Sequence, residues 1–214
     1  MPWSSNATFL VEACHDGETI AGVYKPGRGE RPLWDFPGGL YKREVAAFEL
    51  ASWIGWDIIP LTVLRDEGPL GEGSVQRFVD ADFEQHYFTL QDDEELWPAF
   101  HRLCVFDILA NNTDRKSGHV LIDTDRRVWG IDNGLSFHQE FKLRTVIWDW
   151  GGEHIPAEIL DDVAGLLDRG LPPALATLLD TFERDAVLTR ARAVVAEGRF
   201  PRDDTGRRYP WPLV

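Results

Sequence analysis

The residue pattern predicts an α+β chain of two lobes, a small β-rich N-lobe followed by a helical C-lobe. Short β-branched runs broken by turn signals fill roughly the first eighty residues, and beyond Asp80 apolar residues recur at helical spacing. With 214 residues and 43% hydrophobic content, the chain can bury one sizeable core. The division falls near residue 80: residues 1–80 form the first lobe and 81–214 the second.

Thr8 to Glu12 and Thr19 to Lys25 flank Asp16-Gly17, a strong hairpin turn. Pro26 to Gly39 holds too many Gly and Pro for regular structure and reads as a surface loop. Val45, Ala46, Phe48, Ala51 and Trp53 mark an amphipathic helix from Tyr41 to Trp53 that ends near Gly55. Ile58 to Leu64 and Ser74 to Val79 read as two strands joined by a loop with Gly68, Pro69, Gly71 and Gly73, which gives the order β-β-α-β-β.

Leu96, Phe100, Leu103, Cys104, Asp107 and Ile108 then keep helical spacing as far as Asn111-Asn112. Two short strands, Val120 to Asp123 and Val128 to Ile131, flank a turn at Asp125-Arg126. Three apolar stripes follow: Ile159, Val163, Leu166 and Leu167; Leu175, Leu178, Leu179 and Phe182; Leu188, Val194 and Val195. The tail from Arg199 reads as irregular.

The 22 basic and 36 acidic side chains leave a net charge of −14, which disfavours nucleic acid and anionic membrane surfaces as partners. The opening residues lack a secretory signal and no run is long enough to span a bilayer, so a cytoplasmic location without stable membrane association is expected. Cys14 and Cys104 form no zinc or disulfide pattern.

A junction between lobes is where ligands usually sit. Lys25 ends a strand on the same face as Val23. It either snorkels to solvent or pairs with Glu44 on the next helix, where the pair can hold nucleotide phosphates. Asn112-Thr113-Asp114-Arg115-Lys116 follows a helix, and Asp132-Asn133-Gly134 follows a hairpin. Either stretch alone is an ordinary turn. Two carboxylates on loops flanking one hairpin can hold Mg²⁺ and orient an attacking hydroxyl.

Lysine, glutamate, aspartate and aspartate in this order follow the layout of a protein-kinase-like phosphotransferase. From about Ser5 to Ile155 the chain resembles the phosphatidylinositol 3/4-kinase-like family, and most closely its small SCO-type actinobacterial members. The resemblance rests on Val23-Tyr24-Lys25-Pro26, Arg43 to Phe48, Gly73 to Val79, Asn112-Thr113-Asp114-Arg115 and Gly130 to Gly134. It implies a two-lobed protein-kinase-like fold. It also implies ATP with Mg²⁺ or Mn²⁺ as cofactors and phosphoryl transfer to a hydroxyl of a protein or small molecule.

The implied roles are Lys25 on the α/β-phosphates paired with Glu44, Gln76, Arg77, Phe78 and Val79 as the adenine hinge, Asp114 as the catalytic aspartate and Asp132 as the metal ligand. Two positions depart from the family. His119 stands where an asparagine usually binds the second metal; it is either a ligand or a structural residue of the loop. The strand and phosphate-covering loop before Thr8 are reduced to Ser4 to Thr8, so the first strand is truncated and backbone groups near Ser5 and Asn6 are left to meet phosphates. These departures favour a pseudokinase or nucleotide-binding regulatory module as the alternative, with AMP transfer to protein as a further one.

Lys142 and Arg144 can meet a substrate phosphate or carboxylate, whereas Trp148 and Trp150 are expected to anchor their segment to the helical lobe.

Overall fold

The computed structural model describes residues 6–214; the predicted contact at Ser5 lies outside them. Strands β1 (Phe9–His15) and β2 (Glu18–Pro26) form the predicted hairpin, with Asp16 and Gly17 both left-handed at φ 48° and 84°. Helix α1 (Leu40–Ile54) follows the loop, within which residues 27–29 make one short 3₁₀ turn, and stops at left-handed Gly55. Strands β3 (Thr62–Gly68) and β4 (Gly71–Arg77) complete an antiparallel sheet in the order β1-β2-β4-β3.

This second hairpin corrects the sequence reading, because β3 runs on through Gly68 and β4 begins at Gly71. Gly68 and Gly73, both within these strands, are packing positions. A Cβ on Gly68 would lie 2.5 Å from the Tyr24 hydroxyl oxygen, and one on Gly73 would lie 2.8 Å from the Tyr24 ring. Tyr24 is buried there and donates to the Gly71 carbonyl at 2.6 Å. Alternation then turns Val23 and Lys25 to the opposite, partly open face, so Lys25 looks into the cleft and not into a core.

The helical half begins with the single turn α2 (Tyr87–Leu90) and the core helix α3 (Trp97–Ala110), capped by left-handed Asn111. The hairpin of β5 (Val120–Ile122) and β6 (Val128–Gly130) follows. Trp150 packs edge-on against His101 at 4.5 Å and Trp97 at 6.1 Å, the anchoring role its size suggested.

Of the C-terminal stripes, the first is helix α4 (Ala157–Arg169). The second is split into α5 (Leu175–Leu178) and the start of α6 (Thr181–Glu197). The cause is a capping box: Asp180 accepts from the Glu183 N–H at 2.9 Å, and Glu183 accepts from the Asp180 N–H at 3.0 Å. The break leaves Phe182 exposed, and α6 instead buries Val187, Ala191 and Val194.

One buried ion pair joins the halves. Arg43 of α1 reaches Glu183 of α6, donates to the Ser136 carbonyl at 3.0 Å and stacks over Phe36. Arg43 is therefore an interior residue.

Candidate active site

The cleft brings together side chains from both halves. Lys25 Nζ contacts Glu44 Oε1 and lies 2.7 Å from Asp132 Oδ1, a residue 107 positions later. The second Glu44 oxygen accepts from the Asn133 N–H at 2.9 Å, so this buried carboxylate is satisfied from both lobes. Burial disfavours the Lys25 charge, but the carboxylates of Asp132 and Glu44 outweigh it and raise the ammonium above its ordinary range. The same ammonium holds Asp132 well below the usual carboxylate range.

Local backbone geometry aims these groups. Asp132 sits just past β6 in the left-handed region at φ 56°, a conformation Asp tolerates better than most residues, and its side chain remains 52% exposed to the cleft. Asp114 follows the α3 cap, its N–H bonded to Asn112 Oδ1 at 2.9 Å in a tight Asx turn. Its carboxylate lies 3.3 Å from Lys116 Nζ, and burial pushes it up to about 6.

His119 Nδ1 lies 2.9 Å from the Asp114 carbonyl, which only accepts, and 3.5 Å from the Lys116 N–H; the shorter contact favours the tautomer protonated at Nδ1. Burial lowers the ring to about 4, so it is neutral at neutral pH; in the tautomer protonated at Nδ1, Nε2 carries the lone pair and faces Asp132 Oδ2 at 3.4 Å. Two acceptors facing each other across that gap suit a cation between them. Among the described residues no group of three or more His, Cys, Asp or Glu converges as a metal cage. One carboxylate and one imidazole fit a divalent ion whose shell substrate phosphates complete, and the nitrogen suits Mn²⁺ better than Mg²⁺.

The predicted hinge residues lie at the sheet's end of the cleft, with much of their bonding committed. Gln76 donates its side chain to Thr62 Oγ1 at 2.9 Å. The Arg77 and Phe78 amides bond to Leu61 and Ala21 carbonyls at 2.7 and 3.0 Å. Arg77 also stacks on Trp129, and Val79 packs with Leu121 and Trp129. Asn6 Oδ1 accepts from the Arg31 N–H at 3.0 Å, fastening the loop after β2.

Sequence reasoning assigned no role to the residue that holds the two acidic loops in register. Arg115 is fully buried and ion-paired with Asp107 of α3 at 2.9 Å; it also donates to Asn133 Oδ1 at 2.6 Å and the Ile131 carbonyl at 2.7 Å. The available signal was Asp107 itself, a carboxylate on an otherwise apolar helix face, which demands a buried cation.

The fold is that of a kinase. A crystal structure of the Helicobacter pylori proinflammatory kinase CtkA superposes with a TM-score of 0.50 at 11% identity, covering 89% of this chain and 88% of that one. The two-lobed architecture, an antiparallel sheet followed by a helical part, is therefore the predicted one. No family model matches the sequence. Protein Rv2133c of Mycobacterium tuberculosis is 39% identical over an alignment that covers 98% of this chain and 88% of that protein. At that identity over nearly the whole chain, the protein belongs to the family of Rv2133c.

Proposed function

We propose that the chain is an ATP- and divalent-metal-dependent phosphotransferase of the phosphatidylinositol 3/4-kinase-like group, acting on a hydroxyl of a protein or small molecule. The observation that carries this reading is the meeting of Lys25 from the sheet with Asp132 from the helical half, buttressed by Glu44 and flanked by Asp114. Lys25 holds phosphate oxygens as a point charge, and Glu44 keeps it in position. Asp132 and His119 hold the metal. Bound ATP with its metal would supply the phosphoryl group and neutralise the charge that develops during transfer.

Asp114 orients the acceptor hydroxyl and takes its proton. A carboxyl near 6 is ionised at neutral pH and more basic than an exposed aspartate, which suits that task. Val79, at the start of the segment joining the lobes, is left among the four hinge positions to meet adenine through its N–H.

The direct test is mass spectrometry of the protein after incubation with ATP and Mg²⁺ or Mn²⁺, with ADP release followed alongside. Loss of the γ-phosphate that requires Asp114 and Asp132 supports the reading. A second reading is a nucleotide-binding module without transfer, favoured by a metal donor set in which His119 replaces an amide oxygen; binding without consumption selects it. Addition of AMP to the protein selects an AMP-transferring enzyme, and absence of nucleotide binding removes all three.

A further inference from the structure

We propose that the acceptor of the transferred group carries an anionic group, phosphate or carboxylate, seated by Arg144, Arg207 and Arg208. The word acceptor rests on the phosphotransferase reading; the anion site itself rests on the following geometry. A cavity of about 210 Å³ is lined by Phe141, Lys142, Leu143, Arg144, Arg207 and Arg208, four cations in a chain whose net charge is −14.

Backbone pairing ties one wall of this cavity to the loop that holds Asp114. Arg144 donates its N–H to the Asn112 carbonyl at 2.9 Å, and its own carbonyl accepts from the Arg115 N–H at 3.1 Å, so residues 144 and 145 run alongside the loop that holds Asp114. The C-terminal tail closes the other side. Arg208 accepts from the Thr145 N–H at 3.1 Å, and Leu213 accepts from the Ser117 N–H at 2.8 Å. The Arg208 guanidinium carbon lies over the half-exposed Phe141 ring at 5.5 Å from its centroid, which holds the charge at the cavity.

What sets these arginines apart is that they line one cavity together; among the described residues most other arginines, Arg65 and Arg192 included, also have no carboxylate within ion-pair distance. Arg43, Arg115, Arg126 and Arg127 each have a carboxylate partner. Among the described residues, no carboxylate lies within ion-pair distance of Arg144, Arg207 or Arg208. Of the two acids on the tail, Asp203 and Asp204, Asp203 accepts from Thr205 and from the Arg208 backbone N–H, and the Arg208 charge acts on it from beyond ion-pair distance. Lys142 is engaged by the Asp35 carbonyl at 3.1 Å and by Glu140 at 3.9 Å, so the arginines are the available cations. Like charges gathered at one cavity repel unless an anion joins them, and guanidinium forks bind phosphate and carboxylate in two-pronged fashion.

The test uses the full chain without ATP, titrated at constant ionic strength with inorganic pyrophosphate and separately with tricarballylate, and followed by amide NMR shifts. Shifts should centre on residues 141–145 and 207–208. Arg144→Ala with Arg207→Ala should bind roughly tenfold more weakly or worse, two lost charge-assisted contacts being worth at least that factor. A charge-matched control, Arg65→Ala with Arg192→Ala, should bind as the parent does. Tighter pyrophosphate assigns a phosphorylated acceptor and tighter tricarballylate a carboxylate-bearing one; either supports the site. Shifts confined to the Lys25 cleft or spread over the surface overturn it, as does a double variant that titrates like the control. ATP turnover is scored separately, so a failed anion site and a failed phosphotransferase reading give different results.

Discussion

Removing Arg43 tests how the two lobes are fixed to each other. In Arg43→Met, Glu183 becomes a lone carboxylate at 5% exposure, and the Ser136 carbonyl loses its donor. Breaking a buried pair from one side costs about 3–5 kcal/mol. For a domain of this size that corresponds to a fall in Tm of roughly 6–20 °C. Adding Glu183→Gln removes the stranded charge while keeping an acceptor for the Asp180 N–H, so the double variant should recover ~1–3 kcal/mol of the loss. Urea denaturation of parent, both single variants and the double variant measures the cycle. Because Glu44 follows Arg43 on α1, ATP affinity should fall together with stability. A cost under about 1 kcal/mol, the value of a solvent-screened pair, would refute the reasoning. So would a double variant no better than Arg43→Met.

Three further outcomes follow from the packing. Arg115→Met strands buried Asp107 and should cost about 3–5 kcal/mol in chemical denaturation, with both acidic loops losing amide protection in hydrogen exchange. Gly68→Ala drives a Cβ into the Tyr24 hydroxyl and should destabilise by roughly 1–3 kcal/mol, whereas Gly38→Ala, which meets nothing within 4 Å, should be close to neutral. Burial holds His101 below the ordinary imidazole value, and its Nε2 is buried without a partner. The unfolded ring therefore takes up a proton first as pH falls below about 6.5, and native stability drops. His101→Phe removes that loss, so its stability relative to the parent should rise between pH 7.5 and pH 5; an unchanged difference contradicts the assignment.

Local chemistry made much of the fold legible. Asp16-Gly17 specified its hairpin, Gly55 the end of α1, and the run from Leu96 to Ile108 the core helix. The second hairpin was misread because glycine next to proline signals a breaker, whereas here the missing side chains make room for a tyrosine from another strand. The break before α6 had a readable signal, Asp180 three residues before Glu183, which the apolar stripe overrode. In the site, residue order pointed to Lys25, Glu44, Asp114 and Asp132, but the pairing of Arg43 with Glu183 joins positions 140 apart and has no local signature. The cationic cavity was half visible at Lys142 and Arg144; its other half lies on a tail whose path only the fold reveals.

The central claim is that Lys25 and Asp132 form one phosphate-binding centre. Calorimetric titration of the parent, Lys25→Met and Asp132→Asn with ATP, with and without Mn²⁺, tests it most directly. Saturable binding that Lys25→Met abolishes, and whose Mn²⁺ dependence Asp132→Asn abolishes, is the predicted result. Equal binding by all three proteins would contradict it.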